Sequence, residues 1–124
     1  MLLPYSAAIL LIGIGLAHSI LGERYVLQRL GRLENLPRLR LGGRELMMEV
    51  LRFAWHITTL TWFGIAGILI LIAHDQLNNH SASAIIAGTF IFSGVISLIA
   101  ARGKHYSWLV FFAIGAITGI MALT

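Results

Sequence analysis

The 124-residue chain has room for one domain, and with 58% hydrophobic and only 11% charged residues it lies far from soluble domains, where roughly a quarter of residues are charged. A mean hydropathy of +0.86 marks lipid as its solvent, and the absence of cysteine excludes disulfides, thiolate metal sites and thiol catalysis. The net charge of +4 would imply nucleic acid only on the basic face of a soluble module, and the sequence contains no such module; nucleic acid is therefore excluded as a partner.

Four apolar stretches, about residues 3–21, 53–73, 82–101 and 106–123, are each close to the roughly 20 residues that cross a hydrocarbon core of about 30 Å, and none contains Asp, Glu, Lys or Arg. They predict an all-α integral membrane protein: four transmembrane helices in an antiparallel bundle, forming a single domain over residues 1–124. The first stretch lacks a positive n-region, its nearest Arg following the apolar run, so it reads as a retained helix and not a cleaved signal.

The long connection that follows holds seven basic residues, from Arg24 to Arg52. Between Glu23 and Leu36, Val26, Leu27, Leu30 and Leu33 stand at helical spacing among Arg24, Arg29 and Arg32. That pattern predicts an interfacial helix with snorkelling arginines that contacts anionic headgroups. From Arg44 to Phe63 there is neither Gly nor Pro, so the second helix is expected to start near residue 44 and to project about three turns before it enters the bilayer.

On that helix Glu45, Glu49, Arg52, His56 and Thr59 are spaced 4, 3, 4 and 3 apart, which at about 100° per residue places them on one stripe. Thr58 and Thr61 fall elsewhere and are expected to bond back to helix carbonyls. His56 lies about one turn inside its apolar run and His18 about one turn from the end of the first, so the two imidazoles are expected at similar depth. His105 opens the fourth helix on the same side, with Glu23, Arg24 and Arg102 nearby.

Ionisable groups inside a bilayer are costly and usually face the protein interior. The expectation is a site of His18, His56, His105 and Glu49 that binds or transports a divalent transition metal ion, as imidazole and carboxylate donors permit, with Glu23, Arg24, Glu45, Arg52 and Arg102 around it. An alternative is haem b with His18 and His56 as axial ligands. A third reading is an accessory or assembly subunit, or a small oligomeric channel, without chemistry of its own. The competing view of the histidines is that each bonds a backbone carbonyl or a tyrosine, such as Tyr25 or Tyr106, by itself. No HExxH, phosphate loop or GxSxG is present, so no catalytic residues are assigned.

His74, Asp75 and His80 in the next connection are better explained as helix-end polarity than as a metal site. Gly15 and Gly22, Gly64 and Gly67, and the GxxxG pair Gly115 and Gly119 are expected to admit close helix approach, within one chain, in a homo-oligomer or in a larger membrane complex. Trp55 and Trp108 suit an interfacial belt, and Trp62 a deeper position.

All nine basic residues fall in the first and third connections and none in the second. The positive-inside rule therefore places the Arg-rich loop in the cytoplasm and both termini outside, most naturally in a bacterial inner membrane. Single cysteines at Arg38→Cys and Asn79→Cys should label with an impermeant thiol reagent in intact cells only at position 79; labelling only at position 38 would reverse the orientation.

Overall fold

The computed structural model describes residues 2–37 and 42–124, and among these every regular element is helical. The first helix spans Leu2–Leu30, the second Gly43–Ala73, the third Asn79–Ala100 and the fourth Ser107–Leu123. The first three are long and apolar enough to cross a membrane. The fourth, at 17 residues, is about 25 Å long and sits at the lower limit for a span.

The separate interfacial helix expected over residues 23–36 is not what forms. The first helix instead continues through a π-helical turn at Gly22–Leu27 and ends at Leu30, before turns at residues 31–32 and 34–35. Gly22 does not break the helix because its missing side chain seats the Trp55 indole, whose Nε1–H donates to the His18 carbonyl at 2.9 Å. Arg24, Arg29 and Arg32 remain exposed along this extension and the turn after it, Arg24 with its guanidinium 5.5 Å from the Tyr25 ring centre. Arg38 and Arg40 lie outside the described residues.

The second helix begins at Gly43, as the absence of breakers predicted, after Gly42 turns the backbone with a φ of 87°. Its 31 residues make it about 46 Å long. Asn78 caps the third helix, accepting from His80 N and Ser81 N while Ser81 Oγ accepts from Asn78 N, a reciprocal capping box. That cap starts the helix three residues before the expected residue 82. The second and third helices both end with a backbone bond closing back onto the last turn, Gln76 N to Leu71 O and Gly103 N to Leu98 O, around a left-handed residue, Asp75 or Arg102. His74 at the first of these ends meets the Tyr5 hydroxyl at 2.8 Å.

Each helix packs on the next in chain order, and among the described residues no substantial packing joins the first helix to the third or fourth. Every seam is a side chain set over glycine: Phe63 over Gly15, Thr89 against Gly64, Ile85 against Gly67, Phe112 over Gly94 and Ile91 against Gly115. Gly94 carries this role unannounced by any glycine repeat. Gly119 does not share it, because a methyl group there would meet only Ala87 Cβ at 3.9 Å. Large apolar side chains on the outer helices stay exposed, among them Leu10, Ile20, Ile117 and Ile120.

These spacings separate the two halves of the GxxxG pair. A methyl at Gly115 would stand 2.6 Å from Ile91 Cγ1 and 3.3 Å from its backbone nitrogen, so Gly115→Ala should lower stability by about 1–3 kcal/mol. Gly119→Ala should be neutral or stabilise by up to about 1 kcal/mol through helix propensity. Unfolding in mixed micelles measures both, and equal losses would show that the third and fourth helices are not held as described.

Candidate functional site

The seam between the first and second helices is where the polar side chains collect. Contacting partners run in opposite numerical order along it: Tyr5 with His74, Gly15 with Phe63, Ser19 with Thr59, and Glu23 with Arg52. Because Gly15 and Gly22 lack side chains, the two backbones approach closely enough for short polar groups to bridge them.

From the apolar side outward, buried Thr59 sends Oγ1 to the Gly15 carbonyl at 3.2 Å and meets Ser19 Oγ at 2.6 Å. Ser19 Oγ stands 2.9 Å from His56 Nδ1, and His56 Nε2 stands 3.1 Å from Glu23 Oε2. Arg52 Nε donates to both Glu23 oxygens at 3.1 and 3.2 Å, and Arg52 Nη1 donates to Glu49 Oε1 at 3.0 Å. The result is one unbroken ladder: Gly15 carbonyl, Thr59, Ser19, His56, Glu23, Arg52, Glu49. Its ionic members are half-buried, Glu23 and His56 each with 29% of the side chain exposed.

The ladder accommodates His56 in either protonation state. An ionised Glu23 can only accept, so Nε2 carries the proton of the neutral ring and Nδ1 is left to accept from Ser19. The hydroxyl protons then point from Thr59 to Ser19 to the ring. When the ring is an imidazolium, Nδ1–H donates to Ser19, Ser19 to Thr59, and Thr59 to the Gly15 carbonyl. Every hydrogen reverses and no donor is stranded. With the neutral ring, Glu23, Glu49 and Arg52 leave one net negative charge; an imidazolium cancels it.

The stripe on the second helix thus assembles from Glu49 to Thr59, while Glu45 stays exposed with no ion-pair partner among the described residues. Thr58 and Thr61 bond back to the carbonyls of Ala54 and Ile57. The expected cluster of His18, His56, His105 and Glu49 is not brought together. His18 faces another side of the seam, stacked on Trp55 with ring centres 4.6 Å apart, beside Trp62 at 5.0 Å, and with Nε2 3.3 Å from the Trp55 carbonyl. That side is a shallow apolar groove of about 340 Å³ that also includes Tyr25 and Val26. His105 lies against the Phe53 ring, and its Nδ1 meets Ser107 Oγ at 3.0 Å. Among the described residues, no group of three or more His, Asp and Glu side chains is placed to hold a metal ion. The two haem-ligand candidates turn to different partners in the same way.

Two functional side chains escaped sequence reasoning. Ser19 was hidden beside His18 inside an apolar run, although a hydroxyl one residue from an imidazole faces a different direction by about 100°. Glu23 was assigned to the surroundings, yet it is the residue on which both Arg52 and His56 converge.

A second polar feature is a cleft of 680 Å³ between the first turns of the second helix and the turn joining the third and fourth. Arg44, Glu45, Glu49 and Arg52 line one wall, Arg102 and Lys104 the other. Arg44 bridges back to the end of the first helix, donating to the carbonyls of Gly31 and Leu33. Beneath the cleft, Leu46, Phe53 and Ala101 form a buried apolar cluster. No protein-family model, curated protein or solved structure matches the chain.

Proposed function

We propose that this chain is an integral membrane protein of antiparallel transmembrane helices whose working part is a proton-accepting ladder near the cytoplasmic end of the seam between the first two. The helix lengths and the placement of all nine basic residues in alternate connections support membrane insertion with the Arg-rich connection in the cytoplasm of a bacterial inner membrane. The second helix exceeds a hydrocarbon core of about 30 Å by roughly 16 Å, so residues 43–52 reach beyond it. The observation that carries the functional reading is the position of His56 between Glu23 and Ser19, at 3.1 and 2.9 Å. A ring with an acid on one nitrogen and a reversible hydroxyl chain on the other takes up or releases a proton without leaving a polar group unpaired. Protonation also changes the charge of the seam that joins two helices, which is the local electrostatic event that a switch or a proton-coupled step requires.

This reading replaces the metal and haem expectations on the donor geometry itself. Both nitrogens of His56 are engaged by Ser19 and Glu23, and Nε2 of His18 faces a carbonyl oxygen. A second reading, an assembly subunit or homo-oligomer, draws on Gly13 and Gly88, where an added methyl group would meet nothing within 4 Å. A monomeric mass in lipid nanodiscs would remove the homo-oligomer.

Nitrogen NMR of the full chain in nanodiscs tests the ladder. Neutral His56 should carry its proton on Nε2, and on acidification Nδ1 should gain a proton while the Ser19 hydroxyl reverses. Ser19→Ala should disturb Nδ1 and leave the Nε2 contact in place. A neutral ring protonated on Nδ1 would contradict the proposal.

A further inference from the structure

We propose that the 680 Å³ cleft at the start of the second helix binds a phosphate-bearing anion, with Arg102 and Lys104 as its principal ligands. Four cationic side chains, Arg44, Arg52, Arg102 and Lys104, line it against two carboxylates, Glu45 and Glu49. Their engagements differ. Arg52 is shared between Glu23 and Glu49, and Arg44 is bonded to the carbonyls of Gly31 and Leu33. Arg102 and Lys104 form no ion pair among the described residues, and both are exposed at the cleft. With the Glu49 carboxylate engaged by Arg52, the surplus on the two walls is positive. A guanidinium fork beside an ammonium suits the several oxygens of a phosphate.

The backbone at Arg102 gives the cleft a second peculiarity. Arg102 occupies the left-handed position that closes the third helix, with a φ of 51°, where glycine is the favoured residue. The equivalent position after the second helix is Asp75, at a φ of 52°, a residue type that visits this region more readily. Arginine at such a place sacrifices local stability, and the conformation projects its side chain from the turn that forms the cleft wall. Gly103, which follows, also has a positive φ of 75°. The same cleft is also lined by apolar side chains, buried Leu46 and Met48 and exposed Ile99, so charged and apolar surface meet in one pocket. That combination fits the phosphate of an anionic lipid headgroup, and the same cations would receive a soluble phosphate.

The lipid source rests on the membrane orientation proposed above; anion binding itself does not require His56 to titrate. The full chain in phosphatidylcholine nanodiscs, with and without phosphatidic acid, separates the sources. Native mass spectrometry counts retained lipid, and phosphorus NMR titration with inorganic phosphate in pure phosphatidylcholine discs reads the soluble arm. Selective retention of phosphatidic acid assigns the site to a headgroup, and saturable inorganic phosphate binding assigns it to a soluble ligand. In either arm Arg102→Gly combined with Lys104→Gln should weaken binding about tenfold or more, while Glu45→Gln should tighten it by removing a negative charge from the cleft wall. Arg102→Gly alone should lose affinity yet match or exceed the parent in stability, which a merely misfolded variant could not do. No preference for phosphatidic acid together with no phosphate binding, or binding indifferent to Arg102 and Lys104, would overturn the proposal; unchanged His56 tautomer behaviour in that case would leave the proton ladder standing.

Discussion

The Glu23 carboxylate is the group on which the polar architecture of this chain depends. A half-buried carboxylate at the end of an apolar helix is costly unless donors converge on it, and here the second helix supplies two, the Arg52 guanidinium and the His56 ring. Removing Arg52 would leave the Glu23 charge without its guanidinium, and removing His56 would leave Arg52 as its one partner on the second helix, so the first and second helices are held in one register by pairing as well as by packing. His56 cannot turn away from Glu23 without abandoning Ser19, and Ser19 is tied in turn to Thr59. One ionic contact therefore propagates into an ordered line of hydrogen bonds reaching the Gly15 carbonyl.

That line exists only because the backbones are close. Phe63 lies over Gly15 and Trp55 over Gly22, and a side chain at either glycine would open the seam and lengthen the hydroxyl contacts between them. The remaining seams repeat the device with Thr89, Ile85, Phe112 and Ile91, but without ionisable partners. Small residues rather than large apolar ones sit at these contacts, the arrangement that packing by fit in lipid favours. The end that carries Glu23, Arg52 and Glu49 differs because the second helix, at 31 residues, is longer than the roughly 20 that cross a hydrocarbon core. At that end the Arg102 turn adds cations to a wall the helix already lines with charge.

The helix count and most boundaries were legible in the sequence because hydropathy and breakers encode them directly. The start of the third helix was also written there, as Asn78 with Ser81 three residues on, but an apolar window begins only after the cap. The Glu49, Arg52, His56 and Thr59 stripe was legible from spacing alone. What faces it was not. His18 and His56 were expected at similar depth, yet depth is a coordinate along the helix, and a site also requires agreement around it. One residue is a turn of about 100°, enough to point His18 at Trp55 and Ser19 at His56. An almost uniformly apolar helix carries no amphipathic stripe to reveal which side meets its neighbour, so the pairing of Ser19 and Glu23 with the second helix emerges only from three-dimensional packing. The π-helical turn was hidden for the same reason, since nothing in the local sequence shows that the Trp55 indole occupies the space beside Gly22.

The central claim, that Glu23 and His56 act as one unit from which His18 is excluded, is most directly tested by a double-mutant cycle on reversible unfolding in bicelles. Glu23→Gln and His56→Gln, singly and together, should show a coupling of about 1 kcal/mol, whereas Glu23→Gln with His18→Phe should be additive. Additivity for Glu23 and His56, or a coupling as large for His18, would contradict the account.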